Sequence, residues 1–339
     1  MGQHELTVVR AGFLTTVQDP GRTGFRQFGV SRSGALDPFA LGVANLLVGN
    51  DASDAGIEVS FGGLRLRFND QRIIAWCGGE FEVRLGPTLV PAGHAAVIKA
   101  GEELKIDHPK IGCRCWLAIS GGIDMPIVLE SRSTDLRANF GGFHGRALQD
   151  GDLIPLGKWR RSPAFGRRGD LPRRGQIVAT ERVFSWSAHT LWAQTARRNS
   201  TLRFIRGVDW DRFSDVTIQR FTEEPFTASS DSDRMGVRLE GPELKASDKT
   251  DLISEAVAPG TIQVPPSGKP ILLLGDCQTI GGYPKIAHVI TVDLDAAAQL
   301  RAGDAMRFRE VSLPHAHRLL LEREREFELF RVGINLHFP

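Results

Sequence analysis

Between Ile57 and Leu156 the hydrophobic positions fall in short runs, LRLRF, RIIAW, FEVRL, AAVIKA, EELKI, CWLAI and DLIPL, separated by Gly, Pro and Asp. Runs of this length with no long helical pattern between them predict a barrel or sandwich. Two stretches depart from that pattern. From Asp37 to Gly49, Asp37 suits the N-cap, Pro38 the first helical position, Leu36 and Leu41 a hydrophobic staple, and Gly49 the C-terminal cap. The spacing predicts a helix with Leu41, Ala44 and Val48 on its buried face. Residues 315–332 repeat the helical spacing, setting Leu319, Leu320, Phe327 and Leu329 among Glu and Arg. The run Ile271 to Leu274, bounded by Pro270 and Gly275, is too short for a helix and predicts a buried strand. It delivers GDCQTIGGYPK, Gly275 to Lys285, to a strand end. Asp276, Gln278 and Thr279 arrive there together, Gly281 and Gly282 let the backbone fold tightly, and Tyr283 and Lys285 follow.

Two segments recur. RLGPTL at 84–89 returns as RLEGPEL at 238–244, and GRALQDGDLIPL at 145–156 aligns without gaps on AAQLRAGDAMRF at 297–308. Matched order and spacing point to duplication. The expected organisation is a first barrel domain over 1–157, a basic linker or insertion over 158–200, a second barrel domain over 201–312, and a helical tail over 313–339. In the linker, Arg160, Arg161, Arg167, Arg168, Arg173 and Arg174 alternate with Pro and Gly, which reads as a solvated segment or as a phosphate-binding arm. Trp186 and Trp192 read as anchors onto a barrel.

Composition narrows the function class. The 339 residues are 41% hydrophobic and 24% charged with a formal net charge of +2, as in soluble globular proteins, which leaves no electrostatic case for nucleic acid. No apolar stretch approaches the roughly 18 residues of a membrane span, and Met1 to Thr15 lacks the order of a signal peptide, so a cytoplasmic location is expected. Cys77, Cys113, Cys115 and Cys277 fit neither a zinc spacing nor a disulfide framework, and His315 and His317 stand without carboxylate companions, so no metal site is expected. The nucleotide-binding motifs G-x-x-x-x-G-K-[ST] and G-x-G-x-x-G and the hydrolase elbow G-x-S-x-G are absent. Met306 is followed by Arg307, not by a biotin-acceptor lysine, so covalent biotin is not expected on this chain.

The blocks Val17 to Asn50, SGGID at 120–124, ESRSTDLRANFGGFHGR at 130–146, SDRMGVRLEG at 232–241, PGTIQVP at 259–265 and GDCQTIGGYPK together resemble the biotin-dependent carboxyltransferase-like family. Its members include KipI antagonists, allophanate hydrolase subunit 2 and the C subunit of 5-oxoprolinase. The family commonly has Gly where this chain has Glu130. The resemblance implies a mainly β fold of two cyclophilin-like β-barrel domains related by internal duplication, with a few short helices and a C-terminal helix.

Among the family's activities, the expectation is the C subunit of an ATP-dependent 5-oxoprolinase, converting 5-oxoproline to glutamate by phosphoryl activation of the lactam oxygen and water attack. ATP, with magnesium as counter-ion, a KipI-like 5-oxoprolinase B subunit and the larger A subunit of the hydrolase would complete an enzyme inactive without them. The alternatives are a carboxyltransferase component of a biotin-dependent urea carboxylase and allophanate system, and a regulator antagonising a KipI-like kinase inhibitor.

A lactam or urea-like amide needs donors for its carbonyl and acceptors for its N–H, which Gln263, Gln278, Thr279 and Asp276 can supply. Asp276 is also the candidate general base. Arg234, Arg238 and Lys285 suit a carboxylate or phosphate. Tyr283, the chain's only tyrosine, fills the turn or joins the chemistry. Asp19 and Arg22 lie on a loop that is pinned by an ion pair or faces ligand, and Arg132 lies in the Ser-Arg-Ser-Thr run. Recurrence of Arg238 as Arg84 gives Arg238 a structural reading as well.

Overall fold

The computed structural model describes residues 4–159, 182–247 and 252–337. The chain forms two compact units. The first comprises Met1–Gly21, Asp37–Thr195 and Glu326–Pro339, and the second Arg22–Leu36 and Ala196–Arg325. Residues 22–36 thus join the second unit, whereas sequence order places them in the first. The six linker arginines lie outside the described residues.

In the first unit, β1 (Glu5–Ala11), β4 (Leu64–Phe68), β6 (Val83–Leu85), β7 (Thr88–Leu89), β9 (Glu103–Ile106) and β11 (Leu153–Pro155) form one sheet in the order β11-β1-β4-β9-β6-β7. The second sheet runs β12-β8-β5-β10-β3-β2, from β2 (Leu14–Gln18), β3 (Gly56–Ser60), β5 (Arg72–Glu80), β8 (His94–Ile98), β10 (Ile111–Ile119) and β12 (Val183–Ser187). Alternation explains the first sheet: in LRLRF, Leu64, Leu66 and Phe68 are buried while Arg65 and Arg67 face solvent. The inward residues of both sheets, among them Val8, Leu66, Ile57, Val59 and Trp76, share one core. β5 and β10 are buried on both faces because α1 (Pro38–Leu47) packs against them. That helix begins as its sequence predicts, with Asp37 Oδ1 accepting from Ala40 N at 2.8 Å and Pro38 at its start, and Gly49 follows its end at φ 78°. Part of the expected linker is regular: β12 pairs with β8, and Trp192, in the short helix α2 (Thr190–Ala193), meets Phe39 edge-on at 5.5 Å.

The second unit is a closed barrel, β13-β20-β17-β18-β15-β14-β21. Its strands are β13 (Ser200–Arg206), β14 (Phe226–Ala228), β15 (Gly236–Glu240), β17 (Thr261–Gln263), β18 (Ile271–Leu273), β20 (Lys285–Val289) and β21 (Ala305–Glu310); a separate ribbon pairs β16 (Glu255–Ala256) with β19 (Ile280–Gly281). Phe204, Phe226 and Phe308 cluster with Phe221 of α3 (Asp215–Glu223), whose ring stacks on Phe308 at 4.7 Å. Helix α4 (Leu294–Ala298) precedes β21, and α5 (Leu313–His337) runs from the second unit's last residues into the first unit's closing segment.

Strand pairing recurs residue by residue. β11 sets Ile154 opposite Leu6 of β1, and β21 sets Met306 opposite Phe226 of β14, both antiparallel. Gly151 N donates to Val8 O and Val8 N to Asp152 O; Gly303 N donates to Ala228 O and Ala228 N to Asp304 O. The 145–156 and 297–308 segments therefore occupy equivalent places. RLGPTL and RLEGPEL do not. Continuing across the sheets, Val8 faces Leu66 where Ala228 faces Leu239, so Arg65 is the counterpart of Arg238, and Arg84, one strand beyond Lys105, matches Gln263. The recurrence of Arg84 as Arg238 is a coincidence of short motifs.

Candidate functional site

Register builds the site on the barrel's outer face. Arg238 of β15 is opposite Ile271 of β18, Ile271 is opposite Gln263 of β17, and Gln263 is opposite Lys285 of β20. Partners across a sheet share a face. Because Val237, Leu239, Ile262 and Leu272 are buried in the barrel, this row turns away from them. Gln263 holds the centre, its Nε2 donating to Tyr283 O at 3.3 Å and its Oε1 accepting from Gln278 Nε2 at 3.3 Å. The Oε1 of Gln278 has no donor among the described residues. Gly281 permits this closeness, since a Cβ there would lie 2.6 Å from Gln263 Nε2. Beside the row a cleft of about 320 Å³ is lined by Arg238, Ile271, Pro265, Lys269 and the half-exposed Tyr283, among others.

Lys285 closes the other end of the row. It is 3% exposed, and its ammonium lies 3.0 Å from Glu255 on the β16 ribbon and 3.7 Å from Asp209. Its charge is therefore neutralised within the fold. His288, further along β20, contacts Thr261 Oγ1 at 3.1 Å, and burial, aided by the Lys285 charge, lowers its pKa so that the neutral imidazole is favoured.

Asp276 and Arg234 form a buried fork. Nε and Nη2 of Arg234 reach the two carboxylate oxygens at 2.8 and 3.2 Å, both side chains are almost fully enclosed, and Arg234 Nη2 also donates to Gly34 O at 2.7 Å. A carboxylate so held is stabilised in its charged form and braces the turn. Thr279 contributes its carbonyl to Val257 N at 3.1 Å. The thiol of Cys277 is pushed up by burial, against the pull of nearby Arg26, and so is kept as an un-ionised, structural group.

Asp19, Arg22 and Arg132 are not members of the row. Asp19 accepts from Ser131 Oγ at 2.6 Å, Ser133 Oγ at 2.5 Å, Arg132 N at 2.5 Å and Gly21 N at 2.8 Å, so the Ser-Arg-Ser-Thr run wraps its carboxylate. The Arg132 guanidinium turns to Met125 O at 2.9 Å, and Arg22 is buried in the other unit with its N–H on Arg32 O. Sequence reasoning missed Glu255, Asp209, His288 and Arg26. Distance in sequence hid Glu255, Asp209 and Arg26, whose Nη2 donates to Gln278 O across 252 positions and to Val257 O, whereas His288 follows the turn directly and carried no pattern that marked it. No cluster of three His, Cys, Asp or Glu suited to a metal occurs among the described residues.

Comparison with known proteins shows what the chain as a whole is similar to. Residues 28–310 match the model of the carboxyltransferase domain, subdomain A and B. The chain is 39% identical over 323 residues to the C subunit of 5-oxoprolinase from Escherichia coli strain K12, covering 95% of this chain and 96% of that protein. It is 36% identical to the C subunit of 5-oxoprolinase from Haemophilus influenzae, covering 91% and 92%. The crystal structure of the K. lactis urea amidolyase superposes with a TM-score of 0.86 at 26% identity, over 97% of this chain but 20% of that one.

Proposed function

The chain belongs to the family of carboxyltransferase domains, subdomain A and B, and from that premise we propose that it acts as the C subunit of an ATP-dependent 5-oxoprolinase. End-to-end similarity to the C subunit of the Escherichia coli 5-oxoprolinase carries the reading. The site's chemistry agrees with it. A lactam is a cis amide, so its C=O and N–H lie along one edge, and a primary carboxamide offers the complementary donor and acceptor. Gln278 presents such a carboxamide with its oxygen open, oriented through Gln263. Arg238 and Tyr283 line the cleft at the other end of the row.

Asp276 is assigned to positioning, since its proton acceptance requires breaking the pair with Arg234. Magnesium does not fit this row: Asp276, Glu255 and Asp209 are each ion-paired with Arg234 or Lys285. ATP and its metal are therefore assigned to the assembled enzyme, with a KipI-like subunit and a larger hydrolase subunit, and no step is routed through them on this chain. Urea presents the same amide edge, and the likeness to the K. lactis urea amidolyase makes carboxyl transfer to a urea-like amide the second reading.

Steady-state kinetics of the reconstituted subunits test the proposal. Gln278→Leu keeps bulk but removes the carboxamide, and should lower kcat/KM for 5-oxoproline by roughly 10- to 100-fold per folded molecule, with only the modest fall in melting temperature that follows from taking the donor away from Gln263 Oε1. Wild-type turnover in that variant removes Gln278 from the reaction. Turnover of urea but not 5-oxoproline selects the second reading.

A further inference from the structure

Two of the three cations that sequence suggests for an anionic group are already ion-paired, Arg234 with Asp276 and Lys285 with Glu255 and Asp209, while Arg238 is exposed at the cleft. Two further arginines, both partly buried, have no ion pair among the described residues. Arg26, on the single turn Arg26–Phe28, reaches Gln278 O through Nη2, while its Nη1 is buried without an acceptor. Arg32, from the same loop of the second unit, likewise buries Nε without an acceptor. Neither forms an ion pair with a described residue, although both side chains remain partly open to solvent. The guanidinium of Arg32 is lowered from its ordinary value by burial first and then by the charge of Arg26.

This arrangement is costly without a ligand. Each buried, unpaired donor costs about 1–3 kcal/mol, and like charges add repulsion. An oxyanion relieves both at once, because guanidinium N–H groups suit carboxylate and phosphate oxygens. Space is present at the turn, where a Cβ on Gly24 or Gly29 would meet nothing within 4 Å.

We propose that Arg26 and Arg32 form an oxyanion subsite beside Gln278, gripping the carboxylate of the amide substrate or a phosphoryl group. The carboxylate assignment rests on the reading that the lactam edge meets Gln278. The side chain of residue 278 then meets the amide, and Arg26, bonded to its carbonyl, meets the charge. Arg26 additionally fixes the backbone of Val257 and Gln278, so Arg32 is the cleaner probe of binding alone.

Calorimetric titration of the full chain with 5-oxoproline, 2-pyrrolidinone and inorganic phosphate at millimolar concentration tests this. For a carboxylate site, Arg32→Gln weakens 5-oxoproline at least about tenfold and leaves 2-pyrrolidinone, which lacks the carboxylate, unaffected. For a phosphoryl site, Arg32→Gln weakens phosphate by the same factor and leaves 5-oxoproline unaffected. Arg26→Lys, compared by thermal melting, serves as the second variant. Failure of the wild-type chain to bind 5-oxoproline or phosphate, or equal binding of both by wild type and Arg32→Gln, overturns the subsite. Arginine-dependent anion binding in an assembly without 5-oxoproline turnover keeps the subsite and rejects the function proposed above.

Discussion

At the residue scale, the pair of Asp276 with Arg234 decides what Asp276 can do. Asp276→Asn leaves Arg234 buried without its counter-charge, a change that costs about 3–5 kcal/mol. The expected result is a marked fall in melting temperature with activity retained per folded molecule; unchanged melting with lost turnover would restore the general-base role. His288 adds a pH signature. Its pKa is lowered in the fold, so the unfolded chain binds the proton first as pH falls, and stability drops below about pH 6.5 and is regained above it. Thermal melts between about pH 7.5 and 5.5 should therefore show a smaller acid loss in His288→Gln than in the wild-type chain. Side chains with the right chemistry were legible in the sequence, but their engagements were not. Gln278, Gln263 and Lys285 were recognisable as polar groups near a strand end; that Lys285 is neutralised by Glu255 and Asp209 depends on partners 30 and 76 positions away.

At the element scale, caps and alternation carried most of the information. Asp37 and Pro38 marked a helix start that the structure reproduces, and LRLRF marked a half-buried strand. Short repeats were less informative, since RLGPTL and RLEGPEL agree in residues but differ in strand neighbours. The longer repeat succeeded because its glycine answers a backbone need. Gly151 and Gly303 sit at φ 89° and 88°, each before an equivalent strand, with nothing within 4 Å of a Cβ. Gly151→Ala and Gly303→Ala should thus meet backbone strain alone, each destabilising by about 1–2 kcal/mol. Chemical denaturation of both variants checks this, and a large difference between them would mean that the two turns are not equivalent.

At the scale of the whole molecule, contiguous reading failed at residues 22–36 for a physical reason. Residues 22–36 carry no change in composition at either end, yet Arg26 bonds to carbonyls of 257 and 278, which draws the segment into the second unit. The barrel's outer row supplies an amide partner, and the loop supplies positive charge, but the acids around the row are ion-paired. A lactam is a weak electrophile, and holding it in place does not activate its carbonyl. The chain alone should therefore bind 5-oxoproline without hydrolysing it. Addition of a KipI-like subunit should shift the chain to an earlier position on size-exclusion chromatography, and addition of the larger hydrolase subunit with ATP should start glutamate release. Glutamate formed by the isolated chain, or two independent peaks at micromolar concentration, would count against a division of labour in which this subunit holds the substrate and others activate it.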